Sequence, residues 1–138
     1  MQALGIGAFL EWGALNNTIL PPGVDYIHDL RVGDRCYTNK MKPTDCKLTS
    51  GWKTPYQHSL ENVKELVPTH PGEYWVIGNE PDTSYENQDD LPAEEYALRY
   101  FNLASLIRGL DATARIGFGS IIQPSPIHLR YLDRPGTS

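Results

Sequence analysis

Tyr74-Trp75-Val76-Ile77-Gly78-Asn79-Glu80-Pro81-Asp82 reads as a short buried strand that stops abruptly at a carboxylate. Tyr74 to Ile77 are aromatic or β-branched, the composition of a strand covered on both faces. Gly78 ends the run, and Asn79 and Glu80 stand where the strand should emerge. Pro81 lacks a backbone donor and forces a turn. Barrel enzymes keep catalytic groups at the C-terminal mouth of an inner strand, which makes Glu80 the candidate catalytic residue. The plainer alternative is a Glu that only serves the turn.

Outward from this stretch, the chain alternates strand and helix signals. Leu4 to Leu10 predicts a first strand that ends at Glu11-Trp12, and Tyr26 to Val32 predicts a second. Residues 33–58 are rich in Gly, Pro, Lys and Thr and show no period, which is long for a structureless connection. Leu60, Val63, Leu66 and Val67 mark a short amphipathic helix, with Ser59 as its cap. After Glu80, Pro92 suits the first turn of a helix. Tyr96, Tyr100, Leu103 and Ile107 recur at helical spacing, Glu95 and Arg99 can pair on the outer face, and Gly109 suits its C-terminal end. Arg115 to Phe118 predicts another strand, and Ser125-Pro126 starts a further helix. This order is that of an α/β chain with parallel strands.

The run GNEPD, with Gln88-Asp89-Asp90, Glu94-Glu95-Tyr96-Ala97 and Ile121-Ile122-Gln123-Pro124-Ser125-Pro126 behind it, resembles the catalytic barrels of clan A glycoside hydrolases. The resemblance is strongest over residues 73–133. It implies a partial (β/α)8 barrel over 1–138, incomplete at its C-terminal side, and retaining hydrolysis of glycosidic bonds in oligo- or polysaccharides, without cofactor or metal. Glu80 would then be the general acid/base, and Asn79 would hydrogen-bond the sugar 2-hydroxyl. Trp12 at the first strand's end offers a flat apolar surface to a sugar face, and Gln123 could bind hydroxyls. Retaining enzymes need a second carboxylate about 5–5.5 Å from the first. The clan's nucleophile is matched by no residue here, so this piece alone is expected to be inactive. In the clan the acid-bearing strand is the fourth, whereas two strands are read before it. Either one hides in residues 35–57 or one lies upstream. The alternative from another class is a non-catalytic carbohydrate-binding or structural α/β module.

Bulk properties fit this reading. The 138 residues suffice for one small domain, whereas a whole barrel typically takes about 250. A net charge of −5 opposes a nucleic-acid partner. Residues 79–95 carry seven Asp or Glu and no Lys or Arg, while residues 31–53 carry six Lys or Arg against two Asp. The basic run reads as a solvated face. Ala3 to Leu10 is too short to span a bilayer and has no positive n-region, so extracellular location would require a signal upstream. Cys36 and Cys46 have the wrong spacing for a zinc clip. A loop disulfide and two free thiols both stay open. Dinucleotide loops, Walker patterns and nucleophile elbows are missing from the sequence.

Overall fold

The computed structural model describes residues 5, 7–12, 21–36, 43–85, 87–122 and 126. β1 (Ala8–Glu11), β2 (Asp25–Leu30), β3 (Tyr74–Ile77) and β4 (Arg115–Phe118) form one sheet in the order β1-β2-β3-β4. Every pairing is parallel, with Leu10 opposite Ile27, His28 opposite Trp75 and Trp75 opposite Ile116. Parallel neighbours need crossovers. Between β2 and β3 these are α1 (Pro43–Leu48) and α2 (Pro55–Leu66); between β3 and β4 it is α3 (Ala93–Leu110). The chain is therefore α/β, and all four strands end on the same edge of the sheet.

Alternation along the strands separates two faces. Tyr26, His28 and Leu30 on β2 share a face with Trp75 and Ile77 on β3, and all five are buried. Val63 and Leu66 of α2 and Tyr96, Leu103 and Ile107 of α3 close over that face to form the core. Removing their apolar surface from water, about 1.5–3 kcal/mol for each large side chain, is what holds the helices on the sheet. The indole of Trp75 stacks on the His28 ring with centroids 3.9 Å apart. Burial lowers the pKa of His28, although Glu73 binds the ring and opposes the shift.

Several expectations need correction. The cap of α2 is Thr54 rather than Ser59: the Gln57 backbone donates to the Thr54 hydroxyl, and the Gln57 side chain accepts from the Thr54 N–H. Ser59 lies one turn inside the helix and donates to the Arg31 carbonyl. Of residues 35–57, the described ones hold α1 and the start of α2, so no hidden strand lies among them. Arg99 does pair with Glu95, but not on an outer face. It is buried and also reaches Asp34 and the Val32 carbonyl at 2.6 Å. Pro92 occupies the position just before the first turn of α3 rather than lying within it; Gly109 falls in the last turn as expected, and Asp111 follows as the C-terminal cap. The helix expected after Ser125 lies outside the described residues except Pro126, as does the first strand's start at Leu4. No helix among the described residues is long and apolar enough to cross a membrane.

Cys36 and Cys46 are joined by a disulfide, with Cα atoms 6.1 Å apart. It closes the connection leaving β2 into a small loop, and Cys46 is buried beneath it. A loop of this size limits the unfolded chain by about 2–3 kcal/mol. Cys36→Ser is expected to lower unfolding free energy by that amount in urea. A loss under about 0.5 kcal/mol, the level of an ordinary surface substitution, would show that the bridge constrains little.

Candidate functional site

The rim of the sheet is tied together by one buried carboxylate. Asp89 is fully enclosed and accepts four hydrogen bonds. Its Oδ1 takes Arg31 Nε at 3.0 Å and Gly33 N at 3.1 Å; its Oδ2 takes Val32 N at 3.2 Å and Asn79 N at 2.7 Å. The four donors take up the lone-pair positions of its two oxygens. The segment after β2 and the turn after β3 are thus fixed to the same group. Gly33 permits the approach, since a Cβ there would meet the Asp89 carbonyl oxygen at 2.8 Å. Charge supports the arrangement. Arg31 donates to the Asn87 carbonyl at 2.6 Å, and Arg35 pairs with Asp90 and donates to the Ser84 carbonyl at 3.0 Å. The basic run is therefore not simply a solvated face: two of its arginines lock onto the acidic loop after β3.

Glu80 sits inside this clamp. Its N–H donates to the Ser120 carbonyl beyond β4 at 2.8 Å, and its own carbonyl accepts from Thr83 N at 3.3 Å. Its φ is 43°, and Asn87 and Asp90 have φ of 67° and 47°. Among the described residues these are the non-glycine positions with positive φ, and all three lie in the β3–α3 loop. Such conformations cost of order 1–3 kcal/mol each and persist where surroundings over-determine them. Below the turn, Tyr96 donates to the Ile77 carbonyl at 2.8 Å and accepts from Gly119 N at 3.2 Å, bridging the ends of β3 and β4. Gly119 passes so close that a Cβ would lie 2.0 Å from the Gly78 carbonyl oxygen.

A cleft of about 360 Å³ opens on this rim, lined by Trp12, Arg31, Asn79, Asn87 and Gln88. Trp12 is 68% exposed, so it is a surface platform rather than a core side chain. Asn79 is buried and its amide donates to the Gln88 side chain. The structure thus brings Trp12 and Asn79 together, with Gln88 as a partner. Glu80 adjoins Asn79 but is not one of the lining residues. Gln123 lies outside the described residues. Glu11, at the end of β1 opposite His28, accepts from the Tyr26 hydroxyl at 2.9 Å. Among the described residues, no group of three His, Cys, Asp or Glu is placed to hold a metal.

Asp29 was not singled out in the sequence. It alternates with His28 and Leu30 on β2 and so turns to the face away from the helices. It is 3% exposed, and neither carboxylate oxygen has a hydrogen-bond partner among the described residues. Desolvation raises its pKa to about 7 against the attraction of Arg31, with Asp89 adding repulsion. A carboxylate between His28 and Leu30, inside the predicted strand Tyr26 to Val32, was the available signal. For Asp89 and Arg99 the sequence gives no such mark, because their partners are distant in the chain.

Compared with protein-family models, curated proteins and solved structures, the chain matches none of them.

Proposed function

We propose that this chain is the acid/base half of a retaining glycoside hydrolase barrel. The reading rests on the resemblance of the Asn-Glu-Pro-Asp run to clan A. The observation that carries it further is the position of Glu80: its backbone is held at the C-terminal edge of a parallel sheet, next in the chain to Asn79, which lines a cleft together with the exposed Trp12. The sheet order β1-β2-β3-β4 contains no reversal. Doubly wound sheets reverse their order at a switch point, whereas barrels add each strand beside the last. A partial (β/α)8 barrel is therefore the finer fold proposed.

In this reading Glu80 protonates the departing glycosidic oxygen and later takes a proton from water, Asn79 holds the sugar 2-hydroxyl, and Trp12 stacks on a sugar ring. The nucleophilic carboxylate is not matched here, so turnover belongs to the intact barrel. Glu80→Gln in that protein is expected to slow hydrolysis of a plain oligosaccharide by about 10²-fold or more, the usual contribution of general acid catalysis. A dinitrophenyl glycoside should be spared at the glycosylation step, because its leaving oxygen departs without a proton. Equal losses on both substrates would remove Glu80 from the acid role.

One observation favours a second reading. Glu80 does not line the Trp12–Asn79 cleft, which suits a non-catalytic carbohydrate-binding module. Such a module would keep its saccharide affinity in Glu80→Gln and show no turnover in any longer form.

A further inference from the structure

A second, larger cleft of about 530 Å³ opens where the chain passes from β2 to α2. Its walls include Arg35, Thr49, Ser50, Trp52, Lys53 and His58, with the Cys36–Cys46 disulfide among them. Among the described residues, no Asp or Glu belongs to its lining. Arg35 ties this cleft to the first one: it pairs with Asp90 and donates to the Ser84 carbonyl, in the loop that supplies Asn87 and Gln88 to the Asn79 cleft. Arg35 thus connects the lining of this cleft to the loop that lines the first.

The chemistry of the lining selects a ligand class. Trp52 is half-buried, so its indole is held while part of it stays open. A held indole suits the apolar face of a sugar ring. Arg35 is engaged in the wall, which leaves Lys53 and His58 as the exposed side-chain nitrogens among the described lining residues. Lys53 already shows what it takes, since its ammonium binds the carboxylate of Glu61 from the second turn of α2. Both side chains of that pair are largely exposed. Exposed pairs of this kind contribute little and exchange readily. A ligand carboxylate can replace that of Glu61 without changing the chemistry at Lys53. The hydroxyls of Thr49 and Ser50 and the His58 ring add short-range polar contacts for sugar hydroxyls.

We propose that the Trp52–Lys53 cleft is a binding subsite for an acidic sugar unit, a uronate whose ring lies on Trp52 and whose carboxylate displaces Glu61 from Lys53. The inference deepens the glycoside reading, on which it rests for the sugar: it makes the substrate class an acid-bearing oligosaccharide spanning both clefts.

Calorimetric titration of the full chain with a galacturonate trimer, a neutral galactose trimer and inorganic sulfate tests it. The uronate is expected to bind more tightly than the neutral trimer. Its affinity should fall as salt rises from about 0.05 M to about 0.5 M, where screening shortens to a few ångström. Trp52→Ala should weaken it about tenfold, the effect of losing an aromatic anchor. Lys53→Ala should weaken the uronate and leave the neutral trimer unchanged. Glu61→Gln should tighten uronate binding by about twofold to fivefold, because a weak competing surface pair is gone. That gain is not expected if these residues are merely structural, and it remains readable if Trp52→Ala fails to fold. Equal binding of uronate and neutral trimer, sulfate binding as tight as uronate, or no gain in Glu61→Gln would each overturn the subsite. If uronate binds as described but no glycoside is hydrolysed by the intact barrel, the subsite stands and the hydrolase reading falls. Hydrolysis with no uronate preference would do the reverse.

Discussion

Asp89→Ala is expected to destabilise the chain by about 3–5 kcal/mol, the cost of breaking a buried charge pair by removing one partner. The substitution strands the N–H groups of Val32, Gly33 and Asn79, each of which Asp89 accepts in the native state. Each buried donor left without a partner costs about 1–3 kcal/mol. Arg31 keeps its contact to the Asn87 carbonyl, so its own loss is only partial. Small domains hold about 5–15 kcal/mol in total, so the variant should sit near the edge of folding. Asp89→Asn retains one acceptor oxygen and should lose roughly half as much, in line with the smaller worth of neutral hydrogen bonds. Urea unfolding of the three proteins measures this directly. A loss under about 1 kcal/mol for Asp89→Ala, the size of one ordinary hydrogen bond, would mean that the rim is held by something else.

The parts of the fold that could be read in advance are those whose cause is local. β3 is legible because its four residues are aromatic or β-branched and Gly78 and Pro81 punctuate them. α3 is legible because Tyr96, Leu103 and Ile107 repeat along one side and all three are buried. The start of α2 was hidden by the Gly- and Pro-rich composition before it, although Thr54 and Gln57 carry the capping-box spacing. α1 has six residues, too few to show a period. At the site, Asn79 and Trp12 could be placed on one rim because each follows the end of a parallel strand. The clamp could not be foreseen. In the sequence Asp89 is one of seven acids in residues 79–95, and what makes it structural is contact with Val32 and Gly33 more than fifty positions away. Arg99 looked like half of a surface pair for the same reason. Its guanidinium is drawn inward by the Val32 carbonyl and Asp34, which no helical spacing reports.

Asp29→Asn is expected to stabilise the chain, and by an amount that grows with pH. Asp29 is enclosed on the sheet face away from the helices, with both oxygens unpartnered among the described residues. Arg31 attracts its charge and Asp89 repels it, but desolvation dominates and lifts its pKa from 3.8 to about 7. Between those two values the folded state binds more protons than the unfolded state, so stability falls as pH rises. The contribution is fully present below about pH 4, is lost on the way up, and stays lost above about pH 7. Each pH unit of such a shift is worth about 1.4 kcal/mol, so over about three units the loss approaches about 4 kcal/mol. His28 runs the other way. Its pKa is lowered, so the unfolded state binds the extra proton and stability falls as pH drops below 6.5. The two slopes oppose each other, and the wild-type profile alone conceals both. The difference between Asp29→Asn and wild type isolates one of them, since His28 is common to both proteins. That difference should be small at about pH 4, rise through pH 5 and 6, and level off above about pH 7. A buried carboxylate that destabilises the fold at neutral pH is the kind of group that active sites retain for a purpose. A difference that is flat with pH, or that shrinks as pH rises, would show that Asp29 is ionised and compensated in the folded chain, and would remove it from consideration as such a group.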